Sequence, residues 1–178
     1  MRNPNVAGPS PTLRPPRHDD VVPYTEFLAD PEVAVWLDDS AQVPLSAARV
    51  EAILFRDAWC LWAIECDGTF AGVTSLYHPD LVRGIARYSI VIGDRTRWGQ
   101  GLGAAVTQQV TEYGFATLGL RKIEADVLEP DTAARAMLKR AGFAEDGRLR
   151  KDAWRRGQWV DRFLFSLLHE EWRQRNQA

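Results

Sequence analysis

The chain has 178 residues, a formal net charge of −2 and a sequence pI of about 5.9. That length suits one domain with a sizeable core, and the near-neutral balance provides no overall basic field for nucleic acid or an anionic membrane. Any anion the protein holds must be held locally.

Six of the ten prolines fall in the first 23 residues, so residues 1–11 are predicted to be a flexible leader ahead of a single domain over residues 12–178. The opening residues contain no apolar signal core, and no run of about 20 apolar residues occurs, which predicts neither export nor a membrane anchor. Leu13 is expected in a short edge strand. PYTEFLADPEVAVWL reads as two helical segments, with Asp30 as N-cap and Pro31 at the first helical position. Ser46 opens another helix carrying Val50, Ile53 and Leu54. CLWAIEC and TFAGVTSLY flank Asp67-Gly68, the two-residue signal of a hairpin, and IARYSIVI reads as a third long strand ending at Gly93. Cys60 and Cys66 then share one strand, roughly 20 Å apart and beyond disulfide reach; reduced thiols point to a cytoplasmic setting.

From Gly101 the period changes. Leu102, Ala105, Val106, Val110, Tyr113 and Ala116 recur at helical spacing and form one apolar stripe. KIEADVL is a strand, Pro130-Asp131 caps the helix TAARAMLKRA, Gly142 ends it, and Phe143 returns to the core. EDGRLRK and WVDRFLFSLL supply two more strands before a polar end, HEEWRQRNQA. The apolar last strand makes a homodimer an expectation.

The stretch WGQGLGAAV sets Gly99, Gly101 and Gly103 at alternate positions immediately before a helix. Strand, glycine-rich turn and helix together aim backbone N–H groups and a helix N-terminus at one point, which suits phosphate. Glycine permits the turn and removes side chains that would block a close ligand. A plain turn before a surface helix fits the same residues. A Walker loop does not, because Gly103 is followed by Ala104-Ala105 rather than Lys-Ser/Thr. A dinucleotide fingerprint would need Ala104 as its third glycine and a parallel βαβ unit, whereas the preceding strands read as an antiparallel meander.

Several motifs in order carry a resemblance. IGDRTRWGQGLG, VLEPDTAARAMLKRAGF and GRLRKDAWRRGQWVDRFLFSLLHEEW resemble the acetyl-coenzyme A loop, the second cofactor helix and the closing strands of the GCN5-related N-acetyltransferases (GNAT), in their RimJ/RimL-like and spermidine-acetyltransferase-like branch. The likeness spans nearly all of residues 12–172. It implies an α+β fold with a mostly antiparallel, splayed mixed sheet of about seven strands flanked by about four helices, and acetyl-coenzyme A as co-substrate. It places pantetheine between the fourth and fifth strands along Ile90, Val91 and Ile92, and pyrophosphate on the loop Arg97, Trp98, Gly99, Gln100, Gly101, Leu102, Gly103 and Ala104. Asp131 stands where the family often has a cofactor-facing Asn, so its capping role is expected and its cofactor role is weakened. Arg95, Arg97, Arg135 and Lys139 are candidates to offset coenzyme phosphates.

Acetylating an amine requires a neutral nucleophile, an N–H donor for the developing oxyanion and a proton for the leaving thiolate. By motif spacing, the glutamate base of some family members falls on Arg87, and the frequent tyrosine acid falls on Leu138. Tyr88, Glu124 and Asp126 remain the candidate proton handlers. The expected activity is N-acetyl transfer to a primary amine of moderate pKa, such as a protein N-terminus or an amino sugar; the alternative is a non-catalytic module that binds acetyl-coenzyme A. Three histidines and two cysteines show no metal-ligand spacing, so no metal is expected.

Overall fold

The computed structural model describes residues 10–37, 45–55 and 59–177. Most of the expected leader lies outside them, but Pro11, its last residue, is buried and its carbonyl accepts Gln109 Nε2 at 3.0 Å. Seven strands, β1 (Thr12–Arg14), β2 (Cys60–Cys66), β3 (Thr69–Asp80), β4 (Ile85–Ile92), β5 (Lys122–Leu128), β6 (Ala144–Arg155) and β7 (Gln158–Leu168), form one sheet in the order β1-β2-β3-β4-β5-β7-β6. Only β4 and β5 run parallel. Among the described residues there are six α-helices: α1 (Val21–Ala29), α2 (Pro31–Ala34), α3 (Ala47–Leu54), α4 (Leu102–Glu112), α5 (Thr132–Ala141) and α6 (His169–Gln177).

Local chemistry explains most of these boundaries. Asp30 accepts the N–H of Glu32 at the start of α2, and Ser46 accepts that of Arg49 at the start of α3. Asp67 and Gly68 both have positive φ, 52° and 75°, as a two-residue hairpin demands, and Arg156 and Gly157 repeat the device between β6 and β7 with 48° and 81°. Helix α4 continues through a π turn at Tyr113–Thr117. The polar C-terminal segment, to which the sequence reading assigns no element, is helical. Trp172 tethers it, its ring tilted against Phe115 with centroids 5.5 Å apart, while Arg175 donates to the Arg140 carbonyl at 2.6 Å.

The sheet is covered on both faces. Val106, Val110 and Phe115 from α4 and its extension join Leu138 and Phe143 against Ile123, Phe165 and Leu167 of the sheet. On the opposite face Val21, Tyr24 and Leu28 of α1 and Val50 and Leu54 of α3 pack on Ala63, Phe70 and Val73. Strand β7 lies between β5 and β6, and its Phe163, Phe165 and Leu167 are core. Its apolar character is consumed within the chain and is no argument for a dimer.

One charged cluster inside this frame was invisible in the sequence. Arg14 in β1 donates from both terminal nitrogens to Asp20 at 2.8 Å and from Nε to Glu65 at 2.7 Å. Burial alone would push the Asp20 carboxyl up; the Arg14 bonds and the Arg17 N–H outweigh it and hold the carboxyl below its ordinary range. A carboxyl depressed in the folded state stabilises fully above the unfolded value of about 3.9 and loses that contribution as pH falls toward the folded one. Asp20→Asn should therefore cost about 2 kcal/mol at pH 7, because the Arg14 guanidinium keeps Glu65 but loses its two-pronged bond to a carboxylate. In urea denaturation its deficit relative to wild type should shrink below about pH 4; a deficit unchanged across that range would refute the assignment.

Candidate active site

Strands β4 and β5 pair over three positions only, Ile85↔Lys122, Ala86↔Ile123 and Arg87↔Glu124, and then diverge. Each stays bound to its outer neighbour: β4 to β3 as far as Ile92↔Gly72, β5 to β7 as far as Leu128↔Arg162. Gly72 allows the first of these. Its φ is 152°, and a Cβ there would sit 2.0 Å from the Val91 carbonyl oxygen. The result is a wedge-shaped opening along residues 88–92 and 125–128.

Strand alternation gives this opening two faces. Ala86, Tyr88, Ile90 and Ile92 belong with the core under α4 and α5, whereas Val91 packs with the α1 and α3 side. Of the three residues expected along pantetheine, Ile90 and Ile92 thus point one way and Val91 the other, leaving the backbone between them at the opening. The Ile92 carbonyl is already used: Trp98 Nε1 donates to it at 2.8 Å. Trp98 therefore pins the glycine loop to the end of β4.

The rest of that loop is braced with equal care. Asp94 accepts Thr96 N and Oγ1 at 3.0 and 2.6 Å, and Gln100 Nε2 donates to the Thr96 carbonyl at 2.5 Å. Arg97 donates to Asp67 at 2.6 Å and lies 3.6 Å from Asp94, so its charge is answered by two carboxylates and it ties the loop to the β2–β3 turn. Arg95 pairs with Asp30 at 3.3 Å and Lys139 with Glu145 at 3.5 Å. Gly99 and Gly101 have φ of 72° and 86°, and among the described residues a Cβ on either would meet nothing within 4 Å beyond its chain neighbours. Gly101 caps α4 without a side chain, so the N–H groups of Leu102, Gly103 and Ala104 face an open space with no intrahelical acceptor. Leu102 anchors that turn by its side chain, 1% exposed, and at Gly103 a Cβ would lie 2.7 Å from Met137 Sδ, so that flexible side chain would have to shift.

On α5, Asp131 accepts the Ala134 N–H at 2.9 Å as the expected cap, and burial pushes its carboxyl up. Arg135 stacks on Phe163 with its guanidinium 3.9 Å from the ring centre. Its Nε is buried and has no hydrogen-bond partner among the described residues. Such an atom costs free energy unless a bound group satisfies it.

The three candidate proton handlers are not equivalent. Tyr88 is 4% exposed on the helix-covered face, its hydroxyl 2.8 Å from Thr107 Oγ1, which in turn donates to the Gly103 carbonyl at 2.7 Å. Burial pushes its phenol up. Tyr88→Phe is expected to cost about 1 kcal/mol of stability and leave turnover intact; a loss of roughly 100-fold in kcat, the usual size of a missing general acid, would restore a chemical role. Asp126, on the opposite face, is clasped by Arg87 and by Arg162, which also reaches Asp152 at 2.5 Å. Glu124 lies 3.1 Å from Lys122, which is shared with Asp146 at 3.2 Å. A cavity of about 420 Å³ opens beside Arg87, Lys122, Glu124 and Leu164 on that face. Arg162, Asp152 and Thr107 carried no sequence signal, since each acts through a partner on a distant strand or helix.

The family model for the acetyltransferase (GNAT) domain matches residues 12–144. The chain belongs to the GNAT acetyltransferase family. It is an N-acetyltransferase that moves an acetyl group from acetyl-coenzyme A to an amine. The uncharacterized N-acetyltransferase p20 of Bacillus licheniformis is 27% identical over 169 residues, covering 90% of this chain and 94% of that one. RimJ of Mycobacterium smegmatis, solved with a coenzyme A disulfide, superposes with a TM-score of 0.76 at 26% identity, over 90% of this chain and 83% of the other. The fold is shared with spermidine N-acetyltransferase of Vibrio cholerae, solved with coenzyme A and spermine, at a TM-score of 0.81 and 19% identity over 92% and 98% of the two chains. The resemblance read from the glycine loop, the α5 segment and the closing strands is thus correct at the level of the acetyltransferase fold and reaction.

Proposed function

We propose that this acetyltransferase acts on a primary amine of moderate pKa, a protein N-terminal α-amine or an amino sugar, in the cytoplasm. The observation that carries the reading is the state of the carboxylates on the amine-facing side of the sheet: Glu124, Asp126, Asp146 and Asp152 are each engaged by a cation. Oxygens already accepting charge-assisted bonds are poorly placed to strip an ammonium. Deprotonating a lysine-like amine at neutral pH costs about 4.6 kcal/mol, an α-amine about 1 kcal/mol. Only the second is within reach of an enzyme without a dedicated base. Free thiols at Cys60 and Cys66 support the cytoplasmic setting.

The residues present fit acetyl-coenzyme A. The N–H groups of Leu102, Gly103 and Ala104 would hold its pyrophosphate, and the strand backbone at Ile90, Val91 and Ile92 would run beside pantetheine. When bound it supplies the thioester carbonyl. The chain's own part is positioning: the wedge fixes the angle of approach, and buried backbone donors favour negative charge on the carbonyl oxygen. The amine loses its proton to solvent as the C–N bond forms, and the thiolate expelled when the C–S bond breaks takes a proton back from solvent.

Thiol release should be measured at pH 7 against N-terminal peptides, amino sugars and spermidine. Higher kcat/KM for the first two is expected, and a preference for spermidine overturns the proposal. Binding of acetyl-coenzyme A with no thiol release from any amine would instead support a non-catalytic module.

A further inference from the structure

We infer that Arg155 is a positioning residue for the amine acceptor, holding the segment from Asp30 to Leu37 as a bridge across the open end of the wedge. The inference rests on the acetyl-transfer reading, though not on which amine is acetylated.

The bridge is anchored at both ends. At the first, α1 packs on the end of β4, where a Cβ on Gly93 would lie 2.2 Å from the Phe27 ring, and Arg95 reaches Asp30. At the second, Arg155 closes β6 with only 4% exposure, donating Nε to the Val35 carbonyl at 2.9 Å and Nη2 to the Leu37 carbonyl at 2.6 Å. Next to it Arg156 pairs with Glu32 at 2.9 Å. Strands β5 and β7 lie between β4 and β6 in the sheet. The antiparallel pairing of β7 with β5 and β6 brings Arg155 to the same edge as the diverging ends of β4 and β5. A segment tied to Gly93 and Arg155 therefore passes over the mouth of the wedge. Val33 and Val35 are 3% and 7% exposed, so the bridge is seated rather than loose.

Helices α4 and α5 occupy the other face, so an amine reaches the opening from the bridged side. The bridge then sets the wall against which the amine rests. A guanidinium suits this task, because its rigid fork can address carbonyls on two different residues at once. Burying those carbonyls without donors would cost free energy at each.

The test compares Arg155→Met, Arg155→Lys and Glu32→Gln, with the best amine in the panel above as acceptor. Misplacing a substrate wall by about 1 Å costs up to roughly 100-fold, so Arg155→Met is expected to lower kcat/KM for the amine by about 10- to 100-fold, chiefly through KM. The Kd for acetyl-coenzyme A by calorimetry should be unchanged, because the N–H cradle of α4 is on the far face. Arg155→Lys should recover part of the loss, and amide hydrogen exchange at residues 33–37 should accelerate in both. Unchanged kcat/KM in a folded Arg155→Met, or parallel loss of acetyl-coenzyme A binding, overturns the inference. If Arg155→Met does not fold, Glu32→Gln decides it: a smaller rise in amine KM supports the bridge, and no rise refutes it. A failed amine preference would leave all these readouts in place.

Discussion

Gly101→Val should weaken acetyl-coenzyme A binding by at least about 100-fold, or ~2.7 kcal/mol, while the sheet remains folded. Gly101 holds a φ of 86° at the start of α4, a conformation that costs an L-residue about 1–2 kcal/mol and a β-branched one more. Apart from its chain neighbours and the adjoining helix backbone, no atom of the described residues lies within 4 Å of its absent Cβ, so a side chain there projects into the space the N–H groups of Leu102, Gly103 and Ala104 face. Relief of the strain would turn those groups away; persistence of the strained form would leave a branched side chain over them. Both outcomes remove the anion site. Gly101→Asn is the control, because Asn tolerates left-handed backbone and should lose less. Calorimetric titration with acetyl-coenzyme A checks both, and near wild-type affinity in the Val variant would mean that pyrophosphate is held elsewhere.

Gly72→Ala is expected to be the most destabilising single methyl addition in the sheet. The new Cβ would stand 2.0 Å from the Val91 carbonyl oxygen, and a backbone oxygen has no rotamer by which to move aside. The pairing Gly72↔Ile92 must open, at about 3 kcal/mol, which for a chain of this size lowers Tm by roughly 6–12 °C. The same shift moves Ile92, whose carbonyl anchors Trp98, so acetyl-coenzyme A affinity should fall with it. Thermal unfolding and titration of the same preparation test the coupling. An unchanged Tm would show that β3 and β4 can separate there freely, against the geometry described.

Both predictions concern glycines, and the two differ in how far the sequence announces them. Gly101 sits in a strand–glycine–helix pattern whose local meaning is legible, because helix N-termini and left-handed turns are set by neighbours within a few residues. Gly72 lies inside TFAGVTSLY without any mark. Its necessity comes from Val91 on another strand, and only the paired sheet brings the two together.

The same division runs through the site. Periodicity and capping residues placed α1 to α5 and all seven strands near their observed positions, and the order of motifs identified the acetyltransferase fold. These features depend on short-range backbone and hydrophobic rules. Helix α6 escaped notice because a few long-range contacts, His169 and Trp172 on Phe115 and Arg175 on the Arg140 carbonyl, secure an otherwise polar segment. The partners of the candidate residues were likewise unreadable. Tyr88 resembles a proton handler in the string of residues, yet it faces the covered side of the sheet against Thr107, whereas Asp126 is neutralised by arginines 39 residues before it and 36 after it. The sequence alone determined the order of strands and helices, the strand–glycine–helix turn and the class of chemistry, because local patterns specify them. Tertiary structure alone decided which face of the opening each side chain occupies and which carboxylates are already paired, because charges compensate one another through space without regard to their distance along the chain.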